Sequence, residues 1–416
     1  MSRVGAFSQL GACRRFVVLG IGAATIVTAC SGAPILANPP LSFPSPGVTS
    51  APATQPPDPI AIQLPRDDGP HDRLTEWWYY TGHLQTDDGR SFGFELVVFR
   101  ARRGSVPAAW ASHLALTDEA GQKFTYAQRS EVGPQVDHSP RDANGNPTGF
   151  DFQISGLSPT LIQAGAHPRA LPWQMSGANG SDHLSAVLAP DEATASGASF
   201  GLDLALKSTK PAVLHNGNGF VDFGPAGSSY YYSRTRMNAT GTLRLGSEDL
   251  HVTGIAWFDH QWGDFVSVGA GGWNWFAINL DDGTDIMVSD VLDQQAEPVS
   301  LYATVVDPKG TSHEINSEGP GIGVTASPFQ SWTSPRTGRI WPQEWSVLLP
   351  NYSLLLASNL ESQELDTRAT TGVVYWEGSE DVTGFKDVDP FEDPSNGHPI
   401  TGKAYVEITR YDPITP

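Results

Sequence analysis

The sequence has few cysteines, few basic residues and no long apolar run, and each shortage excludes something. Cys13 and Cys30 are the two cysteines among 416 residues, too few for a disulfide framework. Lys and Arg total 25 against 45 Asp and Glu, a net charge of −20. A nucleic-acid binder needs a basic footprint, so nucleic acid is not an expected partner. Charged residues are 17% of the chain, below the roughly 25% of an average soluble domain. No segment from residue 66 onward carries a long 3.6-residue apolar stripe, which excludes a helical bundle. What is abundant is Gly (43), Pro (33) and aromatic residues, with 12 Trp, 11 Tyr and 18 Phe, the composition of many short strands joined by turns. At roughly 100 to 200 residues per domain, the length allows two to four domains and a sizeable core.

The start reads as an address. Arg14 and Arg15 precede an uncharged run, Phe16 to Ala29, shorter than the roughly 20 residues of a spanning helix and suited to a secretory signal. The run ends in Val27, Thr28, Ala29 and Cys30, which looks like a bacterial lipobox. Residues 1–29 are therefore expected to be a lipoprotein signal peptide and Cys30 the lipidated mature terminus; an ordinary signal cleaved nearby is the alternative. Arg14-Arg15-Phe16 faintly resembles a twin-arginine signal, and the export route stays open. Cleavage removes Cys13, Arg3, Arg14 and Arg15 but no acid, leaving a mature chain without a disulfide and more acidic still. Such a surface repels anionic headgroups, so an acyl chain would hold the protein at the membrane. Residues 30–62, rich in Pro, Ser, Thr and Ala, read as a linker. The expected location is exported and membrane-anchored, on the periplasmic or cell-surface side.

The body contains two copies of one unit. Glu76 to Arg100 reads as two strands joined at Asp87-Asp88-Gly89, where Gly89 can supply positive φ. Gly272 to Val288 repeats it: Trp77 aligns with Trp273, Tyr79 with Trp275, Tyr80 with Phe276, Leu84 with Leu280, and Asp87-Asp88-Gly89 with Asp281-Asp282-Gly283. Each unit closes on a second echo, Thr253 to Trp262 and Thr401 to Tyr411, which sets Asp259 against Glu407. The expected fold is all-β: two tandem antiparallel β-barrels, residues 66–265 and 270–416, closed to remove sticky edges.

Eight segments in order resemble the lipocalin-like proteins grouped as AttH and carotenoid 1,2-hydratase: EWWYYTGHL (76–84), FGFELVVFR (92–100), SHLALTD (112–118), LHNGNGF (214–220), SYYYSRTRM (229–237), AWFDHQWG (256–263), WPQEW (341–345) and VVYWEG (373–378). The resemblance covers nearly the whole mature body. It implies two lipocalin-like barrels with a ligand cavity in or between them, and it carries the hydratases' proton donor onto Asp259, beside Trp257 and facing the Tyr230 to Tyr232 strand. Where hydratases place a His in that wall this chain has Tyr. Many non-hydratase members have Arg and Glu after the Asp, where this chain has His260 and Gln261.

Asp259 lies among Trp257, Phe258 and Trp262, where desolvation raises a carboxyl pKa and keeps its proton available to an alkene. The resulting carbocation needs electron-rich faces, which Tyr230, Tyr231 and Tyr232 can supply. The expected catalytic set is Asp259, Tyr232 and Trp257. Alternation puts Trp257 and Asp259 on one strand face and Phe258 and His260 on the other. Expected ligand-binding residues are Glu76, Trp77, Trp78, Tyr230, His260, Trp262, Trp273 and Trp275. Asp259 also has a structural reading, as an architectural carboxylate matched by Glu407, and the Trp stripes have one as barrel core. His83, His113 and His215 lack metal-ligand spacing, so neither metal nor other cofactor is expected. GHPITGKA (397–404) has phosphate-loop spacing without the following helix.

Two functions stay open. One is an exported lipoprotein that binds a large apolar isoprenoid, carotenoid or lipid-like molecule and adds water to a C=C bond by acid catalysis, a hydro-lyase. The other is a non-catalytic lipid carrier or transport accessory, whose partner would be a transport complex. A structural envelope protein that binds nothing is the third reading.

Overall fold

The computed structural model describes residues 58–410, apart from 157–170, 189–191, 193–198, 224–226, 266–270, 294, 296, 317–324 and 390–392. Residues 1–29, Cys30 and most of the 30–62 linker lie outside the described residues.

Alternating side chains and Gly-containing turns produce two antiparallel sheets. The first holds β1 (Thr75–Thr86), β2 (Ser91–Ala101), β3 (Ala109–Asp118), β4 (Lys123–Val132), β5 (Phe150–Ile154), β6 (Trp173–Ala178), β7 (Ser181–Val187), β8 (Phe200–Ser208), β9 (Val213–Leu214), β10 (Phe220–Asp222), β11 (Ser228–Leu245) and β12 (Glu248–Gly263). The second holds β13 (Gly272–Leu280), β14 (Asp285–Leu292), β15 (Pro298–Val306), β16 (Ser312–Asn316), β17 (Thr325–Thr333), β18 (Ile340–Leu349), β19 (Tyr352–Ser358), β20 (Glu364–Asp366), β21 (Val374–Lys386) and β22 (His398–Arg410). The main path of the first runs β4-β3-β2-β1-β12-β11-β8-β7-β6-β5, and that of the second β16-β15-β14-β13-β22-β21-β19-β18-β17. The last strand of each sheet pairs with the first, so a long-range ladder organises each unit.

The two sheets close to different degrees. In the first, side chains bridge the ends β4 and β5: Arg129 Nη1 donates to Ile154 O at 2.9 Å, and Glu131 Oε2 accepts from Ser155 N at 2.8 Å. The result is a nearly closed barrel. The second sheet is a half-barrel, with β16 and β17 unpaired to each other among the described residues. Closure of both units was expected; among the described residues, ladder bonds join neither pair of ends.

The repeat is real in the register. Tyr79 lies opposite Asp259, and Trp275 lies opposite Glu407. Gly89 and Gly283 have φ of +86° and +89°, the conformation a DDG turn needs.

Three apolar layers result. Trp78, Tyr80, Trp110, Phe152 and Phe258 fill the first barrel, while Phe276, Trp341, Trp345 and Trp376 fill the second. Each buried aromatic contributes roughly 1.5 to 3 kcal/mol. Tyr79, Val97, Tyr231, Trp257, Trp275, Ala277 and Met287 form a third layer between the sheets. Strands β1, β2 and β12 are therefore buried on both faces, which explains the unbroken apolar run Leu96-Val97-Val98-Phe99.

Candidate active site between the two barrels

The seam between the sheets encloses a cavity. From the first sheet it is lined by Trp77 and Tyr79 of β1, Glu95 and Phe99 of β2, His113 of β3, Tyr231 of β11, and Asp259 and Gln261 of β12. The second sheet supplies Trp273 and Trp275 of β13, Ser289 of β14, Tyr302 of β15, Tyr375 of β21, and Glu407 and Thr409 of β22. Spacing by two along each strand puts these side chains on one face. The lining is mainly aromatic with a few carboxyls, the makeup of a site for an apolar ligand with a fixed orientation.

Asp259 is 3% exposed and hydrogen-bonded on both oxygens. Trp257 Nε1 donates to Oδ1 at 2.7 Å, Ser233 Oγ donates to the same oxygen, and Tyr231 OH donates to Oδ2 at 2.6 Å. Burial pushes the carboxyl up to about 6 against the pull of these donors, so it holds or releases a proton near neutrality. Behind it, His215 Nε2 lies 2.6 Å from Ser233 Oγ and His215 Nδ1 lies 3.1 Å from Thr304 Oγ1. Burial holds His215 down at about 3, so it is neutral. With Ser233 donating to Asp259, the assigned tautomer has Nε2–H donating to Ser233. The chain His215, Ser233, Asp259 thus fixes the carboxyl's rotamer.

A second group of acids shares the seam. Glu407 accepts from Thr409 Oγ1 at 3.2 Å and from the Trp273 side chain, and burial pushes it up to about 7. Glu95 accepts from Tyr375 OH at 2.8 Å, and His113 Nδ1 lies 2.7 Å from that hydroxyl. Burial raises Glu95 to about 8. Glu377 accepts from Tyr79 OH, lies opposite Glu407 in the ladder and is held well above the usual carboxylate range, first by burial and then by Glu95 and Glu407.

Of the residues expected from sequence, Asp259, Trp77, Trp273 and Trp275 meet in this cavity, and Trp257 holds Asp259 from beside it. Tyr232, Glu76, Trp78, Tyr230, His260 and Trp262 do not line it. They occupy the opposite strand faces, in or at the end of the first barrel. Tyr232 OH donates to Asp68 Oδ1 at 2.5 Å and Trp78 Nε1 to Asp68 O at 2.9 Å. Tyr230 OH donates to Asp58 Oδ1 at 2.6 Å, and Trp262 stacks on His71 with centroids 4.0 Å apart. Tyr231, whose ring faces Asp259, takes the place expected of Tyr232, because a one-residue step along a strand reverses the face.

Glu76 and His260 join His71 in a buried cluster whose ligand-type atoms all lie within 4.8 Å of one another. Glu76 Oε1 lies 2.7 Å from His71 Nδ1 and 3.1 Å from His260 Nε2, and Oε2 lies 3.2 Å from Arg100 Nη1. Despite burial, the His71 charge and the two histidine hydrogen bonds hold Glu76 down at about 2. Glu76 and Asp67 hold His71 above its ordinary value against desolvation. The donors are those of a metal site; here Arg100 and His71 offset the Glu76 charge, while His260 Nδ1 and Arg100 Nε have no hydrogen-bond partner.

Sequence reasoning missed Glu95, Glu377, Ser233 and His71. Glu95 left a signal, a charge within the apolar run of β2. His71 left none.

These features define a class: an all-β, two-domain lipocalin-like protein built from one nearly closed barrel and one half-barrel. The chain belongs to the AttH-like family, whose model matches residues 54–411. A crystal structure of an AttH candidate from Nitrosomonas europaea is 28% identical, with a TM-score of 0.66, covering 85% of this chain and 98% of that one. Kievitone hydratase from Nectria haematococca shares the fold at 16% identity and TM-score 0.57, covering 84% of this chain and 93% of that one. No curated protein matches the sequence.

Proposed function

We propose that the protein binds a large apolar molecule in the interbarrel cavity and adds water to one of its C=C bonds, with Asp259 as the acid. The observation that carries this reading is a buried carboxyl, raised to about 6 and aimed into an aromatic cavity. Asp259 gives its proton to one alkene carbon and leaves a carbocation on the other. Tyr231 and Trp275 face that charge. Water attacks the cation and loses a proton to the Asp259 carboxylate, so the net change is alkene plus water to alcohol. The kinship in fold with a hydratase supports the reaction class. The amino-terminal Cys30 pattern supports delivery of this activity, as a lipid-anchored protein, to the outer side of a membrane.

The test is to incubate the purified protein with acyclic carotenoids and shorter trisubstituted alkenes in heavy-oxygen water and analyse the products by mass spectrometry. Labelled alcohol from the wild type and none from Asp259→Asn is the expected result. Bound but unchanged ligand in both proteins would make the protein a carrier.

A further inference from the structure

We propose that the ligand of the interbarrel cavity carries a protonated amine or quaternary ammonium group on its apolar body, recognised by Glu95 and Glu407. The proposal rests on the reading of that cavity as a ligand site and specifies what enters it.

Several buried acids elsewhere in this protein are matched by cations. Glu76 meets Arg100, Asp68 meets Arg234, Glu192 meets Arg129, Glu364 meets Arg336, and Asp285 meets both Lys210 and Arg236. Glu131, Asp182, Asp290 and Glu380, each on a different strand, make no salt bridge among the described residues. What sets the cavity apart is that several unmatched acids gather at one place. Asp259, Glu95 and Glu407 line it, Glu377 stands behind them, and no Lys or Arg is among the described lining residues.

Glu95 also points to a missing partner directly. It is fully buried and lines the cavity, its Oε1 is taken by Tyr375, and its Oε2 has no hydrogen-bond partner. A buried carboxyl oxygen left unpaired is costly, and a ligand N–H or a nearby fixed cation would relieve that cost. The other walls suit the same charge, because Trp and Tyr rings attract a cation over their faces. Carboxyls on one side and Trp273, Trp275, Tyr231 and Tyr302 around them form such a cage. Without a ligand, burial keeps a proton on Glu407 up to about pH 7 and on Glu95 up to about pH 8. A cation entering would lower both values and expel protons.

The experiment uses the full-length mature protein and three probes below their micellar concentrations: decyltrimethylammonium, decanol and decyl sulfate. Affinity is read from tryptophan fluorescence, and proton release from calorimetry in two buffers of different ionisation enthalpy. At pH 8 the ammonium should bind at least tenfold more tightly than decanol, with protons released. That advantage should shrink at pH 5 and in Glu95→Gln, and decyl sulfate should bind weakest. Glu407→Gln, at a less buried position, keeps the test open if Glu95→Gln fails to fold. Equal affinity for decanol and the ammonium overturns the cation proposal while leaving the apolar site standing. A cation advantage that survives both substitutions also overturns it, since adsorption to the acidic surface then explains the binding. Absence of binding by all three probes sinks the ligand-site reading itself.

Discussion

Asp259 and Glu407 face one cavity from corresponding positions on the closing strands of the two sheets, opposite Tyr79 and Trp275. The repeat made the two acids equivalent, and their surroundings made them different. Asp259 is held by Trp257, Ser233 and Tyr231, whereas Glu407 has only Thr409 and Trp273. A glutamate ordinarily titrates above an aspartate, and more donors favour the charged form; together these put Asp259 at about 6 and Glu407 at about 7. Two carboxyls with separated values in one aromatic cavity are suited to separate roles.

Asp259→Asn keeps the shape and removes the proton donor. Turnover should fall by roughly 10² to 10⁴-fold, the usual worth of a general acid. Asn still offers one carbonyl oxygen to the three donors, so the fold should survive with a loss of about 1 to 3 kcal/mol. Product formation and the thermal midpoint, measured together, separate the two effects; an active variant refutes the assignment.

Ser233→Ala cuts the link to His215 and takes one donor from the Asp259 carboxylate. The anion loses support, so its pKa rises further above 6, and a reaction that needs protonated Asp259 should persist to higher pH. The alkaline limb of the kcat profile should move upward while KM changes little. A limb that moves downward or stays put would show that Ser233 does not tune the acid.

The strands, the repeat and the face carrying Asp259 were legible because period-two alternation and Gly-marked turns are local signals. Which faces of β1 and β11 met the cavity was not legible, because both faces are apolar: Trp78, Tyr80 and Tyr232 fill the first barrel while Trp77, Tyr79 and Tyr231 meet the second sheet. That ambiguity put Tyr232 in the site in place of Tyr231. Glu95 left one charge in an otherwise apolar strand, but nothing local said that it faces a cavity. The pairing of His71 with Glu76 and His260 depends on how the chain folds over the barrel end, which no spacing rule encodes. The half-barrel escaped for a related reason, as strand count does not show whether the ends meet.

Glu76→Gln removes the charge that His71, His260 and Arg100 share. Breaking a buried ion pair from one side costs about 3 to 5 kcal/mol. Chemical denaturation should show that loss, while binding in the interbarrel cavity stays intact because Glu76 points into the first barrel. Lost ligand affinity at unchanged stability would instead place the cluster in the functional site.

Stability should pass through a maximum on the acidic side of neutrality. Glu95, Glu407 and Asp259 have folded values of about 8, 7 and 6, above their ordinary ones. The folded state therefore binds their protons more tightly, and the stability this gives is fully present below about pH 4 and lost as pH rises through 6 to 8. Glu76, held at about 2, acts in reverse: its contribution is present above about pH 4.5 and lost as pH falls towards 2. His71, raised above its ordinary value, adds to the loss on the alkaline side. Thermal midpoints at pH 3, 5 and 8 should be highest at pH 5. Glu95→Gln should flatten the decline between 5 and 8, and Glu76→Gln the decline between 5 and 3. A midpoint that climbs from pH 5 to 8 would mean that the seam carboxyls are ionised in the native fold, and that Asp259 has no proton to give near neutrality.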